Sequence, residues 1–513
     1  MLGEDLRPPP SPGSVAVNPA RCRWRSKGRR AIIAARTRAH LFTILVLSNP
    51  VVVGLTLWWF FSLDSTLGLY KWRPDYRVYF IAVGCLGVVT PLLALAAAGL
   101  RRFSARIGNA LTILTLCVSI IGLAVPLVLV GYFLSYSLQM SPSTPPVLLG
   151  MDGSGANGVP DLALTFRTEQ PSKNILRYGV DQLDQQVAEE QPVREHVLVI
   201  KDLRPATRYQ WQLNDGEVYR VVTPRSTAAS PGSNDVLYHF AASGDSHVGR
   251  AIGSNPSGDP RVTRSILNVI ATSENPFHTF FIVGDHVHMG MYNDYWVEWL
   301  NMVAHPSASV PLRPIMGNHD GLINGAVHYL AYLYPNGMEP RTGTRRYYRV
   351  DAGSVHFIML NILWSTTESF TPPQKEWFVE QLASISPQDW TIVLMHSMVY
   401  ASGDEEVGMD WYDPPEMIRD VAPLLEQYRV DLVISGHDHH MEFLQHHGVS
   451  YCIIGTFGGV LDPSLAHVSP ASVWRNNTTY GFLDATVRSE AIELVFRDAT
   501  GNTLQTFTVS QNR

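Results

Sequence analysis

The hydrophobic rhythm changes three times along the chain. Leu41 to Phe61, Val78 to Leu100 and Ile107 to Gln139 are uncharged apolar runs. Each meets or exceeds the roughly 20 residues that a helix needs to cross about 30 Å of hydrocarbon. They predict three transmembrane helices, the third tilted or kinked at Pro126. Buried helices of a soluble domain are the competing reading, and three such runs within a hundred residues count against it. From Val147 to about residue 225 the pattern becomes short alternating strands separated by turn residues, as in "DLALTFRT" and "RYQWQLN", which predicts a β-sandwich. From Val236 onward, strand-length apolar runs alternate with amphipathic segments such as "RVTRSILNVIATS" and "PPQKEWFVEQLASI". That alternation predicts an α/β domain with buried, largely parallel strands. "MSPSTPP" (Met140 to Pro146) and "RSTAASPGSND" (Arg225 to Asp235) read as linkers. The expected organisation is a basic segment over 1–40, a membrane domain over 41–139, a sandwich over 147–225 and an α/β domain over 236–513.

Charge adds an orientation. The first forty residues carry nine Lys and Arg, and Arg101, Arg102 and Arg106 separate the second and third runs. Between the first two runs Lys71, Arg73 and Arg77 are offset by Asp64 and Asp75, and beyond the third no Lys or Arg occurs until Arg167. The positive-inside bias puts the N-terminus in the cytoplasm and, after three crossings, the α/β domain outside. Trp58, Trp59, Tyr70, Trp72 and Tyr76 stand at the outer ends of the first two runs, where aromatic belts form. A cleaved signal peptide over the first run would instead leave two crossings. The runs contain no acid, base or histidine, which favours anchoring over ion transport. A net charge of -6 leaves no nucleic-acid footprint. Cys452, alone in the outward part, reads as a buried strand residue.

Chemistry gathers behind the apolar runs of the last domain. "VLYHFAASGDSH" ends in Asp245 and His247, "FHTFFIVGDHVH" in Asp285, His286 and His288, and "VPLRPIMGNHD" in Asn318, His319 and Asp320. "WTIVLMHS" ends in His396, and "VDLVISGHDHH" in His437, Asp438, His439 and His440. The carboxyl ends of strands in α/β sheets are where ligand sites form, so the five runs are expected to meet at one crevice. Oxygen and imidazole donors without thiolate suit Mn, Zn or Fe. Seven candidate ligands exceed one tetrahedral site and suit two metals with a bridging carboxylate.

The order D-x-H, G-D, G-N-H-D, a lone His and G-H-x-H resembles the calcineurin-like metallophosphoesterase superfamily. The strand-rich module ahead of it and "RYYRVDAGSVHFIMLN" resemble the purple acid phosphatase branch. Leu203, Pro205, Thr207 and Tyr209 resemble the tyrosine-corner segment of fibronectin type III domains. The resemblance covers Val147 to the C-terminus. It implies a four-layer α/β/β/α domain and two divalent metal ions. The implied activity is hydrolysis of phosphate mono- or diesters by a metal-bound hydroxide. It also implies that Asp245, His247 and His439 hold one metal, Asn318, His396 and His437 the other, and Asp285 bridges them. His319 would assist the leaving group, with Asp320 accepting a hydrogen bond from its ring. Purple members have a tyrosine where this chain has His288 and lack the histidine at 247, so the site resembles the non-purple members and no ferric colour is expected. His288 is then a candidate substrate-binding residue, as is His286. His440 is expected to be structural, and His446 and His447 to lie at the surface. Arg250 is either a phosphate grip or a solvated loop residue. The stretch Tyr400 to Glu416 is either a lid disfavouring polyanions or a solvated loop, and "NNTT" at Asn476 accepts glycan only in a eukaryotic host. The expected partners are a phosphate ester and the bilayer, with no nucleic acid. The alternative function is a catalytically idle metal-binding receptor, against which the intact His319 counts.

Overall fold

The computed structural model describes residues 19–63, 74–152, 158–226, 235–250, 257–364, 369–406 and 409–511. Tyr70 and Trp72 of the expected aromatic belt and most of the linker after Arg225 lie outside these. The chain forms two compact units, Met1–Trp58 with Tyr79–Val130, and Trp59–Val78 with Gly131–Arg513.

The first unit takes most of α1 (Pro19–Ser62), α2 (Pro74–Leu100) and α3 (Ala105–Ser137). Arg36–Ser62, Arg77–Leu100 and Ala105–Tyr136 are long and apolar enough to cross a membrane. Asn49 is buried among them and donates from Nδ2 to the Ser119 carbonyl at 3.2 Å. A Cβ on Gly122 would come within 2.0 Å of that amide, so a glycine there makes room for it. The third helix ends at Ser137, short of Gln139.

The second unit holds two large sheets. Its first strands are β1 (Thr144–Gly150), β2 (Leu162–Ser172), β3 (Ile175–Gly179), β4 (Gln185–Ala188), β5 (Val193–Ile200), β6 (Arg208–Leu213) and β7 (Val218–Val222). There follow β8 (Tyr238–Ser243), β9 (Thr279–Ile282), β10 (Leu312–Pro314), β11 (Tyr348–Ala352), β12 (Val355–Met359) and β13 (Trp390–Leu394). Next come β14 (Glu405–Glu406), β15 (Met409–Asp410), β16 (Leu432–Ser435), β17 (Met441–His446) and β18 (Val449–Ile454). The last are β19 (Ser472–Asn476), β20 (Gly481–Val487), β21 (Ala491–Asp498) and β22 (Thr503–Ser510). One sheet runs β22-β21-β20-β8-β9-β10-β1-β2-β5, and the other β11-β12-β13-β16-β18-β17-β19. Within the first, β8, β9, β10 and β1 are mutually parallel; within the second, β12, β13, β16 and β18 are.

The two sheets meet through aromatic rings. Phe357 of β12 lies 4.9 Å from Phe281 and 5.6 Å from Phe240. Helices α4 (Pro260–Ala271) and α5 (Asn293–Ser307) bury Ile266, Leu267, Trp296 and Trp299 in one core. On the second sheet α6 (Pro372–Ser384) and the short helix Ala422–Gln427 bury Phe378, Leu382 and Leu425 against Ile358, Val393 and Val433. The result is a mixed α/β fold of two packed sheets flanked by helices, preceded by a β-rich region.

Two boundaries differ from expectation. The linker ahead of the sandwich already enters strand at Thr144, with Pro145 and Pro146 absorbed in an irregularity between Thr144 and Val147. Prolines are tolerated at such strand starts because no ladder donor is lost there. The sandwich strands also divide: β4-β3-β6-β7 form their own sheet, whereas β1, β2 and β5 continue the first large sheet through the parallel pair Leu149 and Leu312. Trp211 reinforces that junction, donating from Nε1 to the Ala308 carbonyl at 2.9 Å.

Candidate metal centre

Each expected ligand follows directly on a parallel strand. Asp245 and His247 come after β8, Asp285 after β9, Asn318 after β10, His396 after β13 and His437 and His439 after β16. These strands run in the same direction within their sheets, so their carboxyl ends gather side chains from both sheets at one edge of the fold. The backbone turns sharply to do this: Asp245, His247, Asp285 and His437 have φ of +67°, +45°, +50° and +71°. Non-glycine residues in that region cost about 1–3 kcal/mol each and cluster at functional sites. Close approach also explains two glycines. A Cβ on Gly317 would fall 2.1 Å from Asp285 Oδ1, and one on Gly284 2.3 Å from His396 Nδ1.

The structure brings all seven expected ligands together in two sets. In one, His439 Nε2 lies 3.0 Å from His247 Nε2 and 3.5 Å from Asp245 Oδ1. In the other, Asn318 Oδ1 lies 2.7 Å from His396 Nε2 and 3.0 Å from His437 Nδ1. Asp285 Oδ2 stands 3.4 Å from both His247 Nε2 and His396 Nε2, between the sets. Its Oδ1 accepts from the His319 backbone N–H at 2.8 Å.

The donor chemistry fits cations. His396 gives its Nδ1–H to the Val283 carbonyl at 2.7 Å, and His439 gives its own to the Val460 carbonyl. Their Nε2 atoms are thereby turned on acceptors, namely the Asn318 oxygen, the carboxylates and another imidazole. Such an arrangement demands a proton or a metal ion between the groups. Burial opposes charge on His396 and His439, yet Asp285 and Asp245 push them up to about 9 and about 10. Burial also opposes charge on Asp245 and Asp285, but the histidines around them hold both far below the usual carboxylate range. A cluster with this appetite for positive charge suits divalent ions bound by N and O donors.

One expectation about the neighbours is corrected. Asp320 does not accept from the His319 ring. Its Oδ2 takes the His286 Nδ1–H at 2.7 Å and the Gly317 N–H at 2.8 Å, and its Oδ1 takes the Val287 N–H at 3.2 Å. The His319 ring is held instead by its Nδ1–H to the His288 carbonyl at 2.6 Å. The two residues are adjacent on one helical turn, Asn318–Gly321, where neighbouring side chains diverge. His288, a candidate substrate-binding residue, sets its ring behind His247, with the two Nδ1 atoms 3.4 Å apart, and 5.0 Å from the His319 ring.

His286 is fully buried against Trp296, Trp299 and Tyr329 and braces Asp320 rather than lining the pocket. His440 is structural as expected, clasped by Asp462 Oδ2 at 2.9 Å and Glu442 Oε2 at 3.2 Å. His446 and His447 approach Glu426 at the β17–β18 turn. Burial holds the His319 ring well below the ordinary histidine range, with Asp285 partly offsetting it. Five of the expected ligands, His247, Asp285, Asn318, His437 and His439, floor a cavity of about 540 Å³ whose walls include Trp364, Trp411, Asp404 and Asp462. Sequence reasoning flagged the stretch holding Asp404 and Trp411, but nothing in the pattern pointed to Trp364 or Asp462.

Comparison with known proteins agrees with this geometry. Residues 238–441 match the family model described as calcineurin-like phosphoesterase. An uncharacterized protein of Mycobacterium tuberculosis is 30% identical over 165 residues, covering 29% of this chain and 30% of that protein. Purple acid phosphatase 23 of Arabidopsis thaliana is 26% identical over 270 residues, covering 48% of this chain and 57% of that one. The chain thus spans about a third to just over half the length of these relatives. Among solved structures, purple acid phosphatase PPD1 from yellow lupin seeds superposes with a TM-score of 0.56 at 18% identity, covering 72% of this chain and 75% of that chain. Strand order, ligand geometry and these matches agree that the chain carries a calcineurin-like metallophosphoesterase domain with purple acid phosphatases among its relatives.

Proposed function

We propose that the protein is a membrane-anchored phosphoesterase that hydrolyses phosphate mono- or diesters at a pair of divalent metal ions. One observation carries the reading: a single carboxylate oxygen, Asp285 Oδ2, is equidistant from an imidazole of each donor set. His247, Asp245 and His439 would hold one ion, and Asn318, His396 and His437 the other, with Asp285 shared. Bound there, such a pair supplies an activated water and neutralises charge on the phosphoryl oxygens. The chain's own residues do the rest. Asp285 ties the sets together while fixing the His319 backbone through its other oxygen. His288 orients the His319 ring through its carbonyl, which makes Nε2 the atom that exchanges a proton with the departing alcohol. His286 and Asp320 brace the loop that carries both.

The three apolar helices and the basic residues of the first forty favour a multi-pass anchor, with the N-terminus in the cytoplasm and the catalytic domain on the far side. The test is turnover by the full-length protein in detergent, stripped of metal and reloaded with Mn(II), Zn(II) or Fe(II) in turn. The substrates are p-nitrophenyl phosphate and bis(p-nitrophenyl) phosphate. Metal-dependent hydrolysis of either is expected. Stoichiometric metal binding without turnover of either would favour the idle-receptor alternative.

A further inference from the structure

The walls of the catalytic cavity carry chemistry that a phosphate alone does not use. Trp364 and Trp411 flank His437, with ring centroids 6.0 and 5.2 Å from it. Asp404 and Asp462 line the same space, and no Lys or Arg is among its described lining residues. The Trp411 backbone N–H donates to the Asp404 carbonyl at 3.1 Å, so the two residues stand at the base of one hairpin, β14–β15. Glu405 and Asp410 on that hairpin are exposed and add negative charge. The side chain of Asp462 keeps 27% of its exposure while accepting from His440. His440 offsets part of that charge, but the carboxyls along the wall still outnumber it.

These walls discriminate. A monoester dianion or a polyphosphate finds no cationic side chain there and meets carboxylates instead. A neutral aromatic leaving group would use the indoles and leave the acids idle. A positively charged group uses both, since indole faces attract cations and a cleft lined by one sign of charge concentrates the opposite sign. The ligand floor, by contrast, takes the anionic phosphoryl group.

Resting on the phosphoesterase reading above, we propose that the cavity takes a phosphodiester of an ammonium alcohol, with its cationic group against Trp364 and Trp411 and its charge met by Asp404 and Asp462. Hydrolysis breaks one P–O ester bond and forms one from water. One water proton passes to the departing alkoxide, so that a phosphomonoester and an alcohol result. The same chemistry is offered by a lipid headgroup and by a soluble glycerol diester.

The test compares two chromogenic diesters of equal shape on the full-length, metal-loaded protein. They are p-nitrophenyl phosphorylcholine and p-nitrophenyl 3,3-dimethylbutyl phosphate, in which a tert-butyl group replaces trimethylammonium. A kcat/KM at least about tenfold higher for the cationic probe is expected. Asp404→Asn and Trp411→Leu should each draw the ratio toward one. Competition then identifies the source: inhibition by phosphatidylcholine vesicles assigns a lipid, and inhibition by glycerophosphocholine a soluble diester. A wild-type ratio near one, or inhibition by neither competitor, overturns the inference and leaves the phosphoesterase reading intact. Failure to turn over either probe with any metal also overturns the inference, and the phosphoesterase reading falls with it only if p-nitrophenyl phosphate and bis(p-nitrophenyl) phosphate are not hydrolysed either.

Discussion

At the residue scale, the shared carboxylate makes the sharpest predictions. Asp285→Asn should release one or both metal ions, read as metal per protein by elemental analysis, because an amide brings no charge to two cations. His319→Ala should keep the metal content and lose about 10²–10⁴ in kcat, the usual contribution of a positioned proton carrier. A third residue reports on pH. Burial, with His239 beside it, pushes His278 down to about 3, while its Nδ1 accepts the His239 N–H at 2.9 Å. The unfolded chain binds a proton at His278 near pH 6.5 and the folded one does not. Stability is therefore complete above about 6.5 and lost as pH falls toward 3, at no more than about 1.4 kcal/mol per pH unit. Thermal melts over that window should fall with pH, and His278→Gln should flatten the slope. The convergence of the seven candidate ligands was legible in the sequence because each follows an apolar strand. The partner of Asp320 was not, because adjacency in sequence suggested a contact that a helical turn prevents.

At the element scale, the sandwich depends on a few fixed bonds. Tyr209 is buried, and its hydroxyl accepts the Arg204 N–H at 2.9 Å. This is the local bond that the L-x-P-x-T-x-Y spacing led us to expect. Tyr209→Phe should leave that N–H unpaired and cost about 1–3 kcal/mol, seen as a lower thermal midpoint with metal content unchanged. Strand periodicity revealed β8, β9, β13 and β16 because their faces are apolar on both sides. It could not reveal which strands lie side by side. The pairing of Leu149 with Leu312 joins segments more than 150 positions apart, and a proline-rich stretch leading into β1 looks like a linker whether or not a sheet edge awaits it.

At the scale of the whole molecule, that pairing makes part of the sandwich continuous with the α/β fold. A chain beginning at residue 236 would leave β10 as an open edge carrying buried Leu312 and Arg313, an aggregation-prone state. A chain beginning at Ser141 keeps β1, β2 and β5 in place. Size-exclusion chromatography should find the longer piece soluble and the shorter one aggregated. The strained turns have a consequence of another kind. Asp245, His247, Asp285 and His437 all hold a backbone conformation that glycine adopts freely. Glycine at any of them would relieve about 1–3 kcal/mol of backbone strain. At Asp245 or Asp285 it would also leave the His437 or His319 N–H without its buried acceptor, so the turns and the side chains they carry stand or fall together.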